Sequence, residues 1–218
     1  MSLVIKTIVS MPFAENTYLV WLDNWKQCVV VDPGLDPESI QDCIAENELS
    51  VVAILNTHGH TDHIAGNDFM KKLLPQAPII IGEGDAPMLT DPDLNLSRSY
   101  GIDIVSPPAD QTVKEGETLH LGGMDLEILD IPGHSPGHIV FVLKEHKIVL
   151  GGDVLFREGI GRTDFPGGSF QTLAKGIRGK LFTLDPDFVV YPGHGPVTKI
   201  GHEKKANPFV GEQASRQW

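Results

Sequence analysis

Apolar residues in this chain fall mostly into short runs separated by turn residues, a pattern typical of β-strands. The run over Cys28–Val31, for example, stops at the strong turn signal Asp32-Pro33-Gly34. The same reasoning predicts strands over Leu3–Val9, Thr17–Trp21, Cys28–Val31, Val51–Leu55, Pro78–Ile81, Thr118–Leu121, Met124–Ile131, Ile139–Leu143, Ile148–Leu150 and Phe188–Tyr191.

Three segments instead repeat apolar residues at helical spacing. In Pro37–Glu48, Asp36 is the predicted N-cap, Pro37 occupies a permitted first-turn position, and the apolar residues share one face. Further helices are predicted over Ile64–Leu74 and Phe170–Leu181. Strands that come in groups with helices between them favour an α/β fold of two sheets enclosed by helices, rather than strict βαβ alternation.

Composition and charge narrow the function. With 218 residues and 41% apolar residues, the chain can bury a sizeable core, and we expect one domain over residues 1–218. Lys and Arg number 17 against 29 Asp and Glu, a formal net charge of −12. Because nucleic-acid binding needs a concentrated basic surface, this balance argues against such a partner.

The N-terminal sequence contains a single basic residue before position 17 and no apolar run long enough for a signal peptide, and no membrane-spanning run occurs elsewhere. A cytoplasmic protein without membrane partners is therefore expected.

The two cysteines, Cys28 and Cys43, lie in apolar patterns away from other candidate ligands. We interpret both as buried, unreactive thiols.

Candidate chemistry begins directly after the strand Val51–Leu55, where His58, His60, Asp62 and His63 form an HxHxDH cluster. Alternate residues of an extended segment point the same way, so His58 and His60 can reach one metal while the turn at Asp62 and His63 faces another. The alternative, a polar turn with incidental histidines, would leave clustered imidazoles and carboxylates without partners near the core, at high cost.

Three more candidate ligands follow predicted strands, each beside a glycine: His134, Asp153 and His194. Glycine lets the backbone approach an ion closely. One histidine beside a turn is usually only hydrogen-bonded, but the same context occurs three times here. Together with the HxHxDH cluster, it predicts a metal centre.

These motifs, with PGHSPGH at Pro132–His138, GD at Gly152-Asp153 and PGHG at Pro192–Gly195, resemble those of the metallo-β-lactamase fold superfamily. The resemblance covers most of the chain and implies a four-layer αββα sandwich with metals at the edge between the sheets. It assigns His58, His60 and His134 to one metal, Asp62, His63 and His194 to the other, and Asp153 to both.

In the same resemblance, Asp62 and Asp153 are the catalytic carboxylates, whereas Asp32 and His138 lie behind the ligands. From the residues alone, Asp32 could equally be a turn-forming aspartate in VVVDPG. The implied cofactors are two divalent ions, with zinc favoured and iron or manganese also suited to imidazole and carboxylate ligands.

Within the superfamily, the chain is similar to glyoxalase II, the hydroxyacylglutathione hydrolases, and to their short single-domain relatives. The matching stretches are DPDLNLS at Asp91–Ser97, GDVLFREGIGRTDFPGG at Gly152–Gly168 and HEKKANPF at His202–Phe209. Full-length glyoxalase II has a C-terminal helical domain that helps hold glutathione, and this chain ends soon after the last ligand motif. Glutathione recognition is thus open.

Arg162, Lys204 and Lys205 are the candidate contacts for an anionic substrate. A structural salt bridge is an equal interpretation of Arg162, and exposed tandem lysines are mostly solvated. The segment from Gly82 to Asp110 is long enough to be a lid or a substrate wall, or a purely structural excursion.

The expected reaction is hydrolysis of a small thioester such as S-lactoylglutathione, in which a hydroxide shared by two metals attacks the carbonyl. The leading alternative is a persulfide dioxygenase, similar in GRTDF at Gly161–Phe165, with a single iron on His58, His134 and Asp153. A hydrolase of another small ester or lactone also stays open. A β-lactamase is disfavoured, because its best-known branch has cysteine in place of Asp153, and a non-catalytic role is disfavoured by the complete ligand set.

Overall fold

The computed structural model describes residues 2–214. Its first half consists of strands and helices with the bounds β1 Leu3–Ser10, β2 Glu15–Leu22, β3 Gln27–Val31, α1 Pro37–Glu46, β4 Ser50–Asn56, α2 Thr61–Ile64, α3 Asn67–Leu73, β5 Ile79–Gly82 and β6 Gln111–Val113. The second half consists of β7 Thr118–Leu121, β8 Met124–Asp130, β9 Ile139–Leu143, β10 Ile148–Gly152, β11 Leu155–Phe156, β12 Gly159–Ile160, α4 Phe170–Gly179, β13 Val189–Pro192, β14 Thr198–Lys199 and α5 Ile200–Ala206.

Two six-stranded sheets form the centre of the molecule. The first has the strand order β1-β2-β3-β4-β5-β6, and the second has the order β14-β13-β10-β9-β8-β7. In the first sheet β3, β4, β5 and β6 run parallel to one another, whereas β1, β2 and β3 pair antiparallel; in the second sheet β10 and β13 are parallel. Parallel neighbours end at the same sheet edge, so the loops after them meet there.

Side chains of alternate residues in the strands serve different layers of the core. Val20, Val29 and Val31 of the first sheet pack against Leu126 and Phe141 of the second, which fills the space between the sheets. The residues between them face outward and are also buried, which explains why β2 is buried along its whole length. Such strands require helices over both outer faces.

Those helices are present. α1 and α3 cover the first sheet, with Ile40 and Met70 packed against its outward-facing residues. α4 and α5 cover the second sheet through Leu173, Ile177 and Ile200. Each fully buried aliphatic side chain of this kind contributes about 1.5–3 kcal/mol. The four-layer αββα sandwich expected from the sequence is confirmed.

One predicted helix differs from the structure. The segment expected as one helix over Ile64–Leu74 starts earlier, at Thr61, and is broken between α2 and α3. At the break the N–H of Gly66 donates to the carbonyl of Pro33, and a Cβ on Gly66 would lie 2.7 Å from the carbonyl oxygen of Gly34. The helix is interrupted because it packs on the turn after β3.

The segment after β5 has more structure than the sequence indicated. It contains 3₁₀ helices at Ala86–Thr90 and Ser97–Tyr100 before β6.

Among the described residues, no helix is long and apolar enough to cross a membrane.

Candidate metal centre

The seven predicted ligands lie together at one edge of the sandwich, where strands from both sheets end. β4 leads into residues 58–63, β8 precedes His134, β10 leads into Asp153, and β13 leads into His194. A backbone hydrogen bond from Ile139 to Thr57 joins the two sheets beside the site (2.9 Å). The parallel pairing of β10 with β13 brings Asp153 and His194 to the same edge.

Three histidines form the first ligand cluster: His58, His60 and His134. Their candidate ligand atoms all lie within 4.8 Å of one another, and the three residues are buried. His60 Nδ1 and His134 Nε2 are 2.9 Å apart. Burial lowers the pKa of His58 and His60 well below the usual value, and neighbouring imidazoles lower it further. These rings are therefore neutral, as metal binding requires.

Asp62, His63 and His194 form the second ligand cluster, with ligand atoms again within 4.8 Å. Asp62 Oδ2 lies 3.2 Å from His194 Nε2 and 3.8 Å from His63 Nε2. Burial would raise the pKa of Asp62, but the neighbouring His63 outweighs it and lowers the pKa far below the usual value. Asp62 is therefore ionised and available as an oxygen ligand.

Asp153 lies between the two clusters. Its Oδ1 is 3.5 Å from His63 Nε2, and its Oδ2 is 3.4 Å from His134 Nε2 and 3.6 Å from His194 Nε2. A single carboxylate thus faces ligands of both clusters. This geometry suits a residue that binds two ions.

Unpartnered polar atoms test whether the site fits metal ions. His58 Nε2, His63 Nε2 and Asp153 Oδ1 are buried and have no hydrogen-bond partner within residues 2–214. Buried polar atoms are normally satisfied, so three orphans aimed at one space require a ligand that binds nitrogen and oxygen together. Divalent cations such as zinc, iron or manganese have that preference.

Asp32 fixes the orientation of ligands in both clusters. Its Oδ1 accepts from the backbone N–H of Thr57 (2.7 Å), and its Oδ2 accepts from the Thr57 hydroxyl (2.7 Å) and lies 3.1 Å from His63 Nδ1. Thr57 Oγ1 in turn contacts His58 Nδ1 at 3.1 Å. With both Nδ1 atoms occupied, the Nε2 atoms of His58 and His63 face the site.

His138 acts from the other side. It is fully buried, and its Nε2 accepts a hydrogen bond from the backbone N–H of Asp153 (3.0 Å), which supports the loop that carries this carboxylate. His134 Nδ1 bonds the carbonyl of Arg162 at 2.8 Å, and His194 Nδ1 bonds that of Phe13 at 3.2 Å. Each bond leaves Nε2 of the same ring directed at the site.

Gly193 shows how closely the chain approaches the centre. A Cβ at this position would lie 2.2 Å from Asp153 Oδ1 and 2.6 Å from His63 Cε1. Any side chain would therefore displace ligands of the second cluster. Position 193, beside His194, therefore requires glycine for steric reasons.

Asp85 is a site residue that the sequence analysis missed. Its Oδ2 accepts from the N–H of Gly59 (3.1 Å) and the hydroxyl of Ser135 (2.5 Å), and its Oδ1 accepts from the N–H of Gly137 (2.5 Å). Gly59 separates His58 from His60, and Ser135 follows His134. One buried carboxylate thus connects the two loops that supply the first cluster. Its position just after β5, at the same sheet edge, was the available signal.

Asn16 was also missed, and it supports the opposite side of the centre. Its amide donates to the carbonyls of Pro192 and Gly195, both at 2.9 Å, and so fixes the loop around His194. The contact joins β2 to the second sheet across most of the chain length. The local sequence around Asn16 contains no pattern that predicts this contact.

A cavity of about 230 Å³ opens onto the ligands. His60, Asp62, His134, Asp153 and His194 line it, and its apolar lining consists of Phe13, Leu96, Tyr100, Phe156, Ile160 and Phe165. Leu96 and Tyr100 come from the segment between β5 and β6. That segment therefore forms part of the cavity wall, and through Asp85 it also supports the ligands.

The three candidate anion contacts have different positions. Arg162 lines the cavity, where its guanidinium pairs with Asp164 at 2.7 and 2.9 Å. Lys204 and Lys205 are in the last turn of α5. Lys204 Nζ lies 3.4 Å from the carbonyl of Phe182 and lines a separate surface pocket. The structure brings Arg162, and neither lysine, to the cavity.

The fold and the two ligand clusters define a class, the αββα proteins with a metal site at the sheet edge. The chain belongs to the metallo-β-lactamase superfamily, whose family model matches residues 11–194. Relatives of the chain include probable metallo-hydrolases, which agrees with the unpartnered donors described above.

Several curated relatives match nearly the whole chain. A probable metallo-hydrolase of Streptococcus pyogenes is 42% identical over 89% of this chain and 85% of its own length. Hydroxyacylglutathione hydrolase GloC of Haemophilus influenzae is 38% identical, covering 93% of this chain and 95% of the relative. The human mitochondrial persulfide dioxygenase ETHE1 is 33% identical over 88% of this chain and 70% of its own length.

Solved structures give the same picture of the fold. BLEG-1, described as a B3 metallo-β-lactamase, superposes with a TM-score of 0.91 at 35% identity, covering 95% of this chain and 99% of the other. TTHA1623, solved in a di-iron-bound form, has a TM-score of 0.84 at 36% identity, covering 94% and 99%. A relative with two irons shows that this superfamily does not imply zinc alone.

Proposed function

We propose that the protein is a binuclear metal-dependent thioester hydrolase that acts on S-lactoylglutathione or a related hydroxyacyl-glutathione. The observation that carries this proposal is the pair of ligand clusters joined by Asp153, with three buried donor atoms unpartnered between them. The similarity to hydroxyacylglutathione hydrolase GloC over nearly the whole of both chains supports the choice of substrate.

His58, His60 and His134 would hold one ion, Asp62, His63 and His194 the second, and Asp153 both. Ions bound there would supply a water whose pKa is lowered toward about 7 and an electrophile for the carbonyl oxygen. Zinc is our first choice, and iron and manganese suit the same donors.

The chain's own groups then have defined tasks. Asp62 is ionised, lines the cavity, and can accept a hydrogen bond from the attacking water, which orients it toward the substrate. Asp32 and His138 hold His63 and Asp153 in place. The apolar lining reduces the water around the reacting carbonyl. A thiol of pKa about 8.5 leaves readily as thiolate, so no protein acid is needed.

A persulfide dioxygenase is the second candidate, favoured by the 33% identity to ETHE1. It would use one iron on His58, His134 and Asp153, which lie on the same side of the centre. The second cluster supports the hydrolase, because one iron on His58, His134 and Asp153 would leave the cluster of Asp62, His63 and His194 without an ion.

One set of assays separates these reactions. Protein loaded with zinc, manganese or iron is tested for loss of S-lactoylglutathione, for oxygen uptake with glutathione persulfide, and for opening of a β-lactam such as nitrocefin, with metal content measured in each sample. We expect about two ions per chain and thioester hydrolysis. Oxygen uptake with iron, a ceiling of one ion and no thioester hydrolysis with any metal would overturn the proposal. Efficient β-lactam opening without thioester hydrolysis would replace the proposed thioesterase function by that of a β-lactamase, the activity named for BLEG-1.

A further inference from the structure

The cavity walls are built from apolar rings arranged around the candidate ligands. Phe165 lies 5.2 Å from the ring of His60, and Phe156 lies 6.1 Å from that of His194, both edge to face. At the mouth, Phe13 and Tyr100 pack edge to face with ring centroids 5.2 Å apart. Rings thus flank the reacting centre on both sides and continue to the surface.

The mouth also exposes apolar surface that a ligand could cover. Tyr100 is 49% exposed although it lines the cavity. On the neighbouring stretches of chain, Met11 is 69% and Leu94 48% exposed. A ring that enters the cavity would remove part of this surface from water, a favourable contribution to binding.

Charge in the cavity points the same way. Among the described residues that line it, Arg162 is the one Lys or Arg. Its guanidinium makes two hydrogen bonds to Asp164 and lies 4.2 Å above the ring of Phe165. The lining also contains the acidic Asp62 and Asp153, and its histidines belong to the two ligand clusters. Outside the candidate metal centre, a carboxylate of glutathione therefore meets no unpaired Lys or Arg among the described residues that line the cavity.

We infer that the cavity selects thioesters by an apolar or aromatic group beside the scissile bond, and not by the carboxylates of glutathione. The inference rests on the proposed thioesterase function and defines its substrate class. The apolar group can belong to the acyl part or to the thiol part, and the two positions are separated by the choice of substrates.

Three substrates test the inference with the metal-loaded enzyme. S-lactoylglutathione is the reference, S-mandeloylglutathione replaces the methyl group of its acyl part by phenyl, and the benzyl thioester of lactic acid replaces glutathione by an uncharged aromatic thiol. We expect kcat/KM to be about tenfold higher for at least one ring-bearing substrate. If S-lactoylglutathione is cleaved and neither ring-bearing substrate exceeds it, the inference is wrong while the thioesterase function stands. If no thioester is cleaved, both fail.

Variants of the wall identify the residues responsible. Tyr100→Ala and Phe13→Ala should each reduce the preference for the ring-bearing substrate by about threefold to tenfold, mainly through KM, because these contacts form with substrate and transition state alike. Phe209→Ala is the matched control, since Phe209 is 42% exposed and does not line the cavity. Equal losses in all three variants would overturn the assignment.

Arg162→Ala tests the charge argument directly. With Arg162 already paired to Asp164, its removal should change kcat/KM for S-lactoylglutathione and for the benzyl thioester by the same factor. A loss confined to glutathione thioesters would show that this guanidinium reads a carboxylate, and would overturn the inference. Metal content and the melting temperature of each variant identify any that fail to fold.

Discussion

The two ligand clusters are built from different chemistry. The first, His58, His60 and His134, consists of three imidazoles that are at most 6% exposed. The second contains a carboxylate, and two of its members, Asp62 and His194, are partly exposed at the cavity. The first cluster is therefore a buried site with nitrogen ligands, whereas the second combines a charged carboxylate with access to substrate. We therefore expect the first cluster mainly to bind its ion and the second also to contact the substrate.

Asp153→Ala is expected to have the largest effect, because this side chain faces both clusters. Turnover should fall by at least about 1,000-fold and both ions should bind more weakly. Elemental analysis and steady-state kinetics measure this, with Asp187→Ala as the control, because Asp187 is exposed and precedes β13, whose other end leads to His194. Near-normal turnover with two retained ions would show that Asp153 does not join the clusters.

His134→Ala and His63→Ala test whether the clusters are separate sites. Each should lower the metal content from about two ions to about one, since each removes a ligand from one cluster only. Spectroscopy of cobalt-substituted protein distinguishes which site is lost. Identical spectra for the two variants would contradict the division into two clusters.

Asp85→Asn should weaken the first cluster selectively. The amide keeps the size of the side chain but can no longer accept all three hydrogen bonds, so metal affinity should fall about 10–100-fold at the first cluster. Asp110→Asn is a suitable control, because Asp110 also bonds a backbone N–H and a side chain, of Ile79 and Lys71, away from the centre. Competition with a chelator measures both, and equal losses would remove the special role of Asp85.

Acid should affect the clusters unequally. Burial lowers the pKa of His63, but Asp62 and Asp153 outweigh it and raise the pKa well above the usual value, and the pKa of His194 is raised as well. These rings carry protons in ion-free protein, and an incoming ion must displace them. As pH falls below their pKa values, affinity of the second cluster should drop about tenfold per unit for each displaced proton.

The pKa values of His58 and His60 are lowered, so an incoming ion displaces no proton from their free ring nitrogens, and the first cluster should keep its ion over the same range. Metal titrations between about pH 6 and 8 measure the difference, because in this interval around the usual histidine pKa the lowered and raised values give the two clusters different protonation states. Parallel losses at both clusters would contradict the assigned protonation states.

The sequence was most informative about candidate ligands that directly follow a predicted strand. His58, His134 and Asp153 each follow a predicted strand, and the structure brings them together because β4 of the first sheet and β8 and β10 of the second end at the same edge of the sandwich. Asp85 follows a strand in the same way and was missed because a lone aspartate after glycine is usually a turn residue. Here it contacts Ser135, 50 residues away, and such pairings cannot be read from local pattern.

Other features depend on packing between distant segments. Tyr100 reaches the cavity through a 3₁₀ helix and a contact with Phe13, neither of which has a periodic signal. Lys204 was considered as a substrate contact because of its charge. However, α5 packs on the outer face of the second sheet, and Lys204 lines a separate surface pocket there. The break before α3 likewise reflects the turn beneath it.

The placement of the ligands at the edge between the sheets also concerns the stability of the chain. Residues 58–63 follow a strand of the first sheet, whereas Asp153 and His194 follow strands of the second. Bound ions would cross-link the two halves, and separation of the sheets would destroy both clusters. Ions that bind only the folded chain add about 1.4 kcal/mol to the free energy of unfolding for each tenfold rise in concentration above Kd. The melting temperature of this protein should therefore report the free metal concentration around it.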